Sequence, residues 1–300
     1  MEPSINALYY GDCLEVMRTW PDRMADLVYL DPPFNSNADY NVLFRPETGE
    51  PNQPPTAQTI AFHDTWQWDS AAAHRVQRIT EAVASPAHNA ILALQAMIPR
   101  SGMLAYISYM AERLTEIHRI LRPTGNVFLH CDPTASHYLK LLLDSIFGST
   151  NFRNEIVWKR RRDTHNLATR HMGRIHDTIF YYARSTASKY NIQYLNYDAA
   201  YIASHYKHED KRGRYRILPC TNESGGNKPY TFRGITRAWR FSEKNMERLF
   251  TNDELVQLTK HGPFYYKKYL SDAKGVPIQD IWDDIAPVRG KETLGSTTQK

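Results

Sequence analysis

The chain has 300 residues, 42% of them hydrophobic and 23% charged, with a net charge of +5, which is typical of a soluble globular protein with one or two domains. It has no apolar run of about 18 residues, and its N-terminus lacks a basic flank before an apolar core, so we expect neither a membrane span nor a signal peptide. Its three cysteines have no paired spacing, which argues against a disulfide framework or a metal site and predicts a cytoplasmic protein.

The first predicted unit, residues 7–34, is a tight turn followed by a short helix and a strand. Gly11 permits the turn, and Asp12 is placed to cap the helix that begins at Cys13. The run Leu27–Leu30 is short and unbroken, which predicts a strand buried on both faces of a parallel sheet. Asp12 has a second interpretation as a ligand contact, because its turn and the end of this strand should leave neighbouring strand ends.

The strand ends in the sequence Asp31-Pro32-Pro33-Phe34. Open α/β sheets bind their ligands at the carboxyl ends of strands, so Asp31 is a candidate site residue. Two prolines fix two successive φ angles and remove two N–H donors, which makes the turn stiff. A carboxylate, a carbonyl and an aromatic ring held in one stiff turn suit a planar group that carries an NH2. The same residues also fit an ordinary exit from a strand.

Residues 35–70 are polar and without periodicity, which predicts a long loop that is either disordered or a lid. Trp66 and Trp68 lie at the end of this segment, where they either pack it against the protein or face a substrate, and we expect packing. Residues 71–98 are predicted to be helical with a break near Pro86. A stronger helix follows, in which apolar residues recur at spacings of three and four from Met103 to Leu121.

The next strand, Val127–Leu129, leads into His130 and Asp132. Strand, helix and strand in this order form a βαβ unit, whose two strands run parallel. His130 and Asp132 are therefore expected at the same sheet edge as Asp31, in either a site role or a structural one.

A helix over residues 138–147 and strands over 154–159 and 176–183 follow in the sequence. The segment between these two strands is strongly basic and is expected beside the sheet edge that carries Asp31. It is either a surface for phosphate contacts or a solvated basic face, and its position favours phosphate contacts. Its candidates for phosphate contacts are Lys159, Arg160, Arg161, Arg162, Arg170 and Arg174.

Residues 186–275 differ in character, because tyrosines without periodicity alternate with cations. Residues 159–245 carry 18 Lys and Arg against 7 Asp and Glu, whereas residues 1–100 carry 6 against 12. Aromatic rings for base stacking among cations for phosphates favour a nucleic-acid surface, with Arg212, Arg214 and Arg237 as candidate contacts. The alternative is a small irregular domain that uses tyrosine for packing. From Ile278 the pattern returns to that of a strand.

Together these motifs resemble the DNA amino-methyltransferases that modify N6 of adenine or N4 of cytosine, in the class whose catalytic motif precedes its cofactor motif. The resemblance rests on residues 8–17, the D-P-P-F turn, residues 119–130, residues 176–182 and the approach to the C-terminus. It implies an α/β fold, a Rossmann-like S-adenosylmethionine-dependent core with an incomplete sheet and an inserted irregular α+β recognition domain. The implied divisions are a catalytic half over 1–185, a target (DNA) recognition domain over 186–275 and a return segment over 276–300.

The resemblance also implies roles for individual residues. The catalytic set is Asp31, Pro32, Pro33 and Phe34, and the cofactor set is Asp12, Asp31, His130, Asp132, Thr298, Gln299 and Lys300. The implied partners are double-stranded DNA and a restriction subunit or a second chain that completes the cofactor site. In this family an aspartate at the first motif position is typical of adenine enzymes, and a serine is commoner in cytosine-N4 enzymes.

One departure from the family pattern is the lack of a Gly-rich turn of the F-x-G-x-G type. We therefore expect a truncated sequence or one half of a split enzyme, which binds S-adenosylmethionine weakly by itself. The alternatives to adenine are cytosine N4, RNA or a protein glutamine as target, and a non-catalytic DNA-binding remnant. Methylation at cytosine C5 would need a cysteine after proline, and the pair Pro219-Cys220 lies away from any predicted strand-end site.

Overall fold

The computed structural model describes residues 6–32, 39–44, 57–63, 66–160, 172–222 and 228–286, and only the backbone of 39–44 and 57–63. The chain divides into two compact units, residues 1–190 with 279–300 and residues 191–278. The assignment of residues 186–275 to DNA recognition stays a prediction.

The elements of the first unit are, in chain order, α1 (Cys13–Arg18), β1 (Ala25–Leu30), β2 (Asp39–Phe44), β3 (Ala57–His63), α2 (Ser70–Glu81), α3 (His88–Met97), α4 (Gly102–Ile120), β4 (Leu121–Cys131), α5 (Ser136–Phe147), β5 (Phe152–Lys159) and β6 (His176–Ala183). The second unit contains β7 (Tyr194–Leu195), α6 (Ala199–His205), β8 (His208–Asp210), β9 (Gly213–Pro219), β10 (Tyr230–Phe232), β11 (Ile235–Arg237), α7 (Glu243–Thr251), β12 (Leu255–Gln257), β13 (Phe264–Tyr269) and β14 (Val276–Pro277). The chain then returns to the first unit in β15 (Ile281–Trp282).

The central sheet of the first unit has five strands in the order β1-β4-β6-β5-β15. The pairs β1/β4 and β5/β15 are parallel, whereas β6 runs antiparallel to both of its neighbours. The predicted βαβ unit and the predicted α/β fold class are thus confirmed. Because β6 runs in the opposite direction, its first residues lie at the same sheet edge as the last residues of β1, β4 and β5.

The helix α4 forms the centre of the core. Its N-terminus is capped by Ser101, whose side chain accepts a hydrogen bond from the Leu104 amide. The predicted apolar stripe is confirmed, since the helix packs with α5 against the sheet face that carries Val127 and Leu129. Removing this apolar surface from water stabilises the unit by about 25 cal/mol per Å². None of the helices in the described part of the chain is both long and apolar enough to cross a membrane.

The strand β1 differs from its prediction. Leu27 is 59% exposed and Tyr29 is 58% exposed, so the expectation of burial on both faces is wrong. β1 lies at the edge of the sheet, with Val28 and Leu30 packed against the helix layer and the opposite face open among the described residues. Leucine and tyrosine therefore mark a strand here without revealing which of its faces is covered.

The segment 35–70 also differs from its prediction, because β2 and β3 form an antiparallel pair. The expectation of a loop without regular structure is wrong for these two strands. Residues 33–38, 45–56 and 64–65 lie outside the described residues. The expected packing of the tryptophans is confirmed, since the Trp66 ring centre lies 4.6 Å from that of Tyr109 and Trp68 contacts the core.

The second unit is built on the four-stranded antiparallel sheet β12-β13-β9-β8. Its small core consists of Cys220, Phe232, Trp239, Met246 and Phe264. Tyr206 and Tyr269 are each only 2% exposed, so the packing interpretation applies to these two tyrosines. Tyr197, Tyr201 and His205 instead form a continuous stack along α6.

The stability of the first unit is expected to depend on pH through His118, on α4. Burial, and secondarily the charge of Arg184, lowers the pKa of His118 from 6.5 to about 4. Between these values the unfolded chain binds a proton that the folded chain does not, so the free energy of unfolding falls as the pH decreases from 6.5 to 4. Above pH 6.5 the imidazole is neutral in both states and contributes no slope. The variant His118→Asn should flatten this part of a Tm-versus-pH curve, and an unchanged slope would contradict the assignment.

Candidate active site

Asp31 is the first residue after β1, and the strand register determines its neighbour. Leu30 pairs with Leu129 in β4, so the next residue of β4, His130, lies beside Asp31. The Nδ1 atom of His130 lies 2.9 Å from Oδ1 of Asp31. The Asp31 side chain is 36% exposed, whereas that of His130 is 1% exposed. A carboxylate open to solvent is thus held from behind by a buried imidazole.

The second ring nitrogen of His130 faces Asp177, near the start of β6. Nε2 lies 3.3 Å from Oδ2 of Asp177, whose side chain is 1% exposed. The Nε atom of Arg160 lies 3.2 Å from the same oxygen, and the Trp158 ring meets the imidazole edge-on at 5.6 Å. Asp177 was missed by sequence reasoning. The available signal was a carboxylate near the start of a strand that is otherwise almost wholly apolar or aromatic.

Tyr29 lies two residues before Asp31 and on the same face of β1. Partial burial, and secondarily the charge of the Asp31 carboxylate, raises the pKa of the Tyr29 phenol. The phenol therefore remains protonated and able to donate hydrogen bonds at neutral pH. Of the other residues in the turn, Pro32 is half-buried, while Pro33 and Phe34 lie outside the described residues.

Asp12 caps α1 as predicted, since Oδ1 accepts a hydrogen bond from the Leu14 amide at 2.9 Å. Both of its carboxylate oxygens also lie 2.7 Å from Nη2 of Arg113. The Arg113 side chain is 6% exposed, and its guanidinium carbon lies 3.2 Å from the centre of the Tyr109 ring. Arg113 was missed, although it lies three residues after Met110 on the apolar stripe of α4.

Asp12 also lines a cleft of about 550 Å³ formed by residues of α1, α2 and α4. Its carboxylate is 47% exposed and so stays accessible to a ligand. Asp132 has a local structural role, because Oδ1 accepts a hydrogen bond from the Ala135 amide at 3.1 Å just before α5. The remaining cofactor candidates, Thr298, Gln299 and Lys300, lie outside the described residues.

The basic residues predicted to contact DNA differ in whether they are exposed or already form contacts within the protein. Lys159 and Arg174 are exposed on the first unit, and Arg174 donates to Oγ1 of Thr134 at 2.9 Å. Arg160 forms an ion pair with the buried carboxylate of Asp177. In the second unit Arg212 pairs with Glu254 at 2.8 Å, while Arg214 and Arg237 are exposed. Arg161, Arg162 and Arg170 lie outside the described residues.

Cys220 is expected to be chemically inert. It is fully buried in the core of the second unit, and burial raises the pKa of its thiol to about 12. A thiol in this state is not a nucleophile at neutral pH. In the folded protein an alkylating reagent should modify the exposed Cys13 and leave Cys220 unmodified, as read by peptide mass spectrometry. Rapid labelling of Cys220 would reopen the cytosine-C5 alternative.

A Rossmann-like α/β sheet with acidic side chains where its strands end has its expected ligand site at that edge. A family model described as DNA methylase (N6_N4_Mtase) matches residues 25–300. The chain belongs to this family of DNA methylases.

The individual relatives have low sequence identity to this chain. The Mod subunit of the type III restriction-modification enzyme StyLTI from Salmonella typhimurium is 25% identical over 94% of this chain and 41% of that protein. The type II methyltransferase M.EcaI from Enterobacter cloacae is 24% identical over 65% of this chain and 45% of that protein. The chain thus spans less than half the length of these two relatives.

Among solved structures, a DNA modification methylase of Thermus thermophilus, TTHA0409, in complex with S-adenosyl-L-methionine aligns with a TM-score of 0.35 and 11% identity. This alignment covers 93% of this chain and 66% of that one. The cytosine-N4-specific PvuII DNA methyltransferase aligns with a TM-score of 0.34 and 13% identity, over 65% of this chain and 60% of that one.

Proposed function

We propose that this protein transfers a methyl group from S-adenosylmethionine to N6 of adenine in DNA. The observation that carries the proposal is the partly exposed Asp31 carboxylate at the end of β1, held by His130. Family membership supports an amino group as the target. The choice of adenine over cytosine rests on the aspartate at the first position of the D-P-P-F turn.

The chemistry of the amine explains the need for such a residue. The lone pair of an exocyclic amine is delocalised into the base, which makes the nitrogen a poor nucleophile. In this proposal Asp31 and the carbonyl of Pro32 accept hydrogen bonds from the NH2 group, which favours a pyramidal nitrogen. S-adenosylmethionine supplies a methyl group on a sulfonium centre. Transfer would form the nitrogen–carbon bond and leave the carbon–sulfur electron pair on sulfur, and the amine would then release one proton to solvent.

The base must leave the duplex to reach a strand-end site, and Phe34 in the stiff turn is the candidate for stacking on it. Asp12 and Asp31, whose side chains are 47% and 36% exposed, are the proposed contacts to S-adenosylmethionine. The exposed cations Lys159, Arg174, Arg214 and Arg237 are proposed contacts to the DNA backbone, which positions the duplex without reading its sequence. The rate would then come from alignment and pre-organised acceptors.

A restriction subunit is the proposed protein partner. Two relatives, from Salmonella typhimurium and Escherichia coli, are named as Mod subunits of type III restriction-modification enzymes. The alternative of a second chain that completes the cofactor site stays open as a prediction. Co-expression of the full-length protein with the product of an adjacent gene, followed by size-exclusion chromatography, tests both ideas.

The target base is tested by incubating the full-length protein with mixed duplex DNA and S-adenosylmethionine that carries a labelled methyl group. The DNA is then digested to nucleosides, which are separated by chromatography and mass spectrometry. We expect the label in N6-methyl-2′-deoxyadenosine alone. Label in N4-methyl-2′-deoxycytidine would keep the enzyme class and overturn the choice of base. No label in DNA, together with DNA binding, would favour the non-catalytic alternative.

A further inference from the structure

The candidate active site extends behind Asp31 as a line of ionisable side chains across three adjacent strands. Asp31 follows β1, His130 lies near the end of β4 and Asp177 lies near the start of β6. Cys131 pairs with Thr178, and His130 pairs with Ile179. The side chains of Asp177 and His130 therefore project from the same face of the sheet, because residues two apart on a strand share a face.

The two carboxylates constrain the protonation of the imidazole between them. Ionised carboxylates only accept hydrogen bonds, and a ring nitrogen donates only when it carries a proton. Oδ1 of Asp31 lies 2.9 Å from Nδ1 of His130, so the contact is a hydrogen bond when Nδ1 is protonated. Nε2 faces Asp177 at 3.3 Å in the same way. An imidazole with both nitrogens protonated satisfies both contacts.

The buried carboxylate of Asp177, at the far end of this line, has charged or ionisable neighbours on both sides. Asp177 is 1% exposed, and an ionised carboxylate in such a place is costly unless it is paired. His130 on one side and Arg160 on the other provide that pairing. The ring of Trp158 lies edge-on to His130 and restricts its rotation. The imidazole is thus held from three directions, while the Asp31 carboxylate that it contacts is open to solvent.

We propose that His130 is a positioning residue for Asp31, and that Asp177 and Arg160 hold His130 in the orientation this requires. The proposal rests on the proposed function, in which Asp31 accepts a hydrogen bond from the target amine. Donation from Nδ1 engages Oδ1 and orients the carboxylate so that Oδ2 is presented to the amine. A base held by a third group is a recurring arrangement in catalysis. The rival interpretation is that these residues merely join β1, β4 and β6.

Two substitutions separate these interpretations, because each puts an amide group at the position of a different ring nitrogen. In His130→Asn the amide nitrogen takes the place of Nδ1 and still donates to Asp31. In His130→Gln the amide reaches the place of Nε2 and loses the donor to Asp31. Both variants are uncharged and lack the ring, so they form a matched pair. His118→Asn, at a half-buried histidine on α4, is the control for loss of an imidazole elsewhere in the unit.

We expect His130→Gln to lower kcat for methyl transfer on the order of 100-fold, the cost of misplacing a reacting group by about 1 Å. His130→Asn should retain most of the kcat of the unsubstituted protein, and His118→Asn should leave kcat unchanged at neutral pH. The Kd values for DNA and for S-adenosylmethionine should stay near those of the unsubstituted protein in all three variants. Equal losses of kcat in Asn and Gln at position 130 would overturn the proposal.

A measurement on the unsubstituted protein covers the case in which the variants do not fold. With ¹⁵N-labelled histidine, the NMR signals of His130 report whether Nδ1 carries a proton. We expect a protonated Nδ1 at neutral pH, and a bare Nδ1 would overturn the proposal irrespective of activity. Absence of methyl transfer by the unsubstituted protein, with Nδ1 protonated, would instead count against the proposed function.

Discussion

The variant Asp31→Ala should lose methyl transfer on the order of 1,000-fold while its affinity for DNA barely changes. Removing one pre-organised group that hydrogen-bonds the reacting atoms typically costs a factor of this size. DNA affinity depends mainly on contacts between cations and phosphates, which the substitution leaves in place. The two quantities are measured on the full-length protein, transfer by single-turnover kinetics with labelled cofactor and affinity by a filter-binding titration.

The control for Asp31→Ala is Asp26→Ala on the same strand. Asp26 is 71% exposed and pairs with Arg122 at 2.7 Å, away from His130. We expect its removal to change neither transfer nor DNA affinity. Full activity in Asp31→Ala would exclude Asp31 as the acceptor. Unchanged DNA binding in both variants, without transfer in the parent protein, would identify a non-catalytic DNA-binding protein.

The variant Asp12→Ala should destabilise the first unit by roughly 2–4 kcal/mol, combining the loss of a helix cap with a buried guanidinium that has lost its carboxylate. Arg113 is only 6% exposed and cannot turn to water when Asp12 is removed. Asp26→Ala removes an ion pair with similar distances at the surface and should cost less than about 1 kcal/mol. Native-state hydrogen exchange of the α4 amides as a function of urea measures both values within the first unit.

A second substitution tests the cause of this loss. Methionine at position 113 has a similar length and no charge, so Asp12→Ala combined with Arg113→Met leaves no buried guanidinium. The double variant should therefore be more stable than Asp12→Ala alone, which shows as a negative coupling in a double-mutant cycle. A double variant that is less stable than Asp12→Ala would mean that the guanidinium contributes mainly through its contact with the Tyr109 ring.

Much of the first unit could be predicted because its signals are local. The apolar stripe of α4 and the run of β6 each specify an element through the spacing of neighbours in the chain. The order strand, helix, strand then makes β1 and β4 parallel, because a crossover connection brings the second strand back in the same direction. The same reasoning brings Asp31 and His130 to one edge. The family resemblance was carried by these same segments.

The failures share a physical cause, which is that burial depends on what packs against an element. Leu27 and Tyr29 are residue types that are common in strands, yet they are exposed because the face of β1 that carries them is not covered by the described residues. The β2/β3 pair was missed because the intervening 45–56 carries no short-turn signal, and pairing across such a distance is not a local property.

The sequence by itself determined the α/β class, the D-P-P-F motif that begins at Asp31 and the family to which they point. Only the tertiary structure decided what surrounds that carboxylate. Asp177 is 47 residues from His130 in the chain, and Arg113 is 101 residues from Asp12. Such pairs form because the strand order β1-β4-β6 and the packing of α4 against α1 bring distant residues within hydrogen-bonding distance, and the hydrogen bonds of buried charges must be satisfied inside the fold.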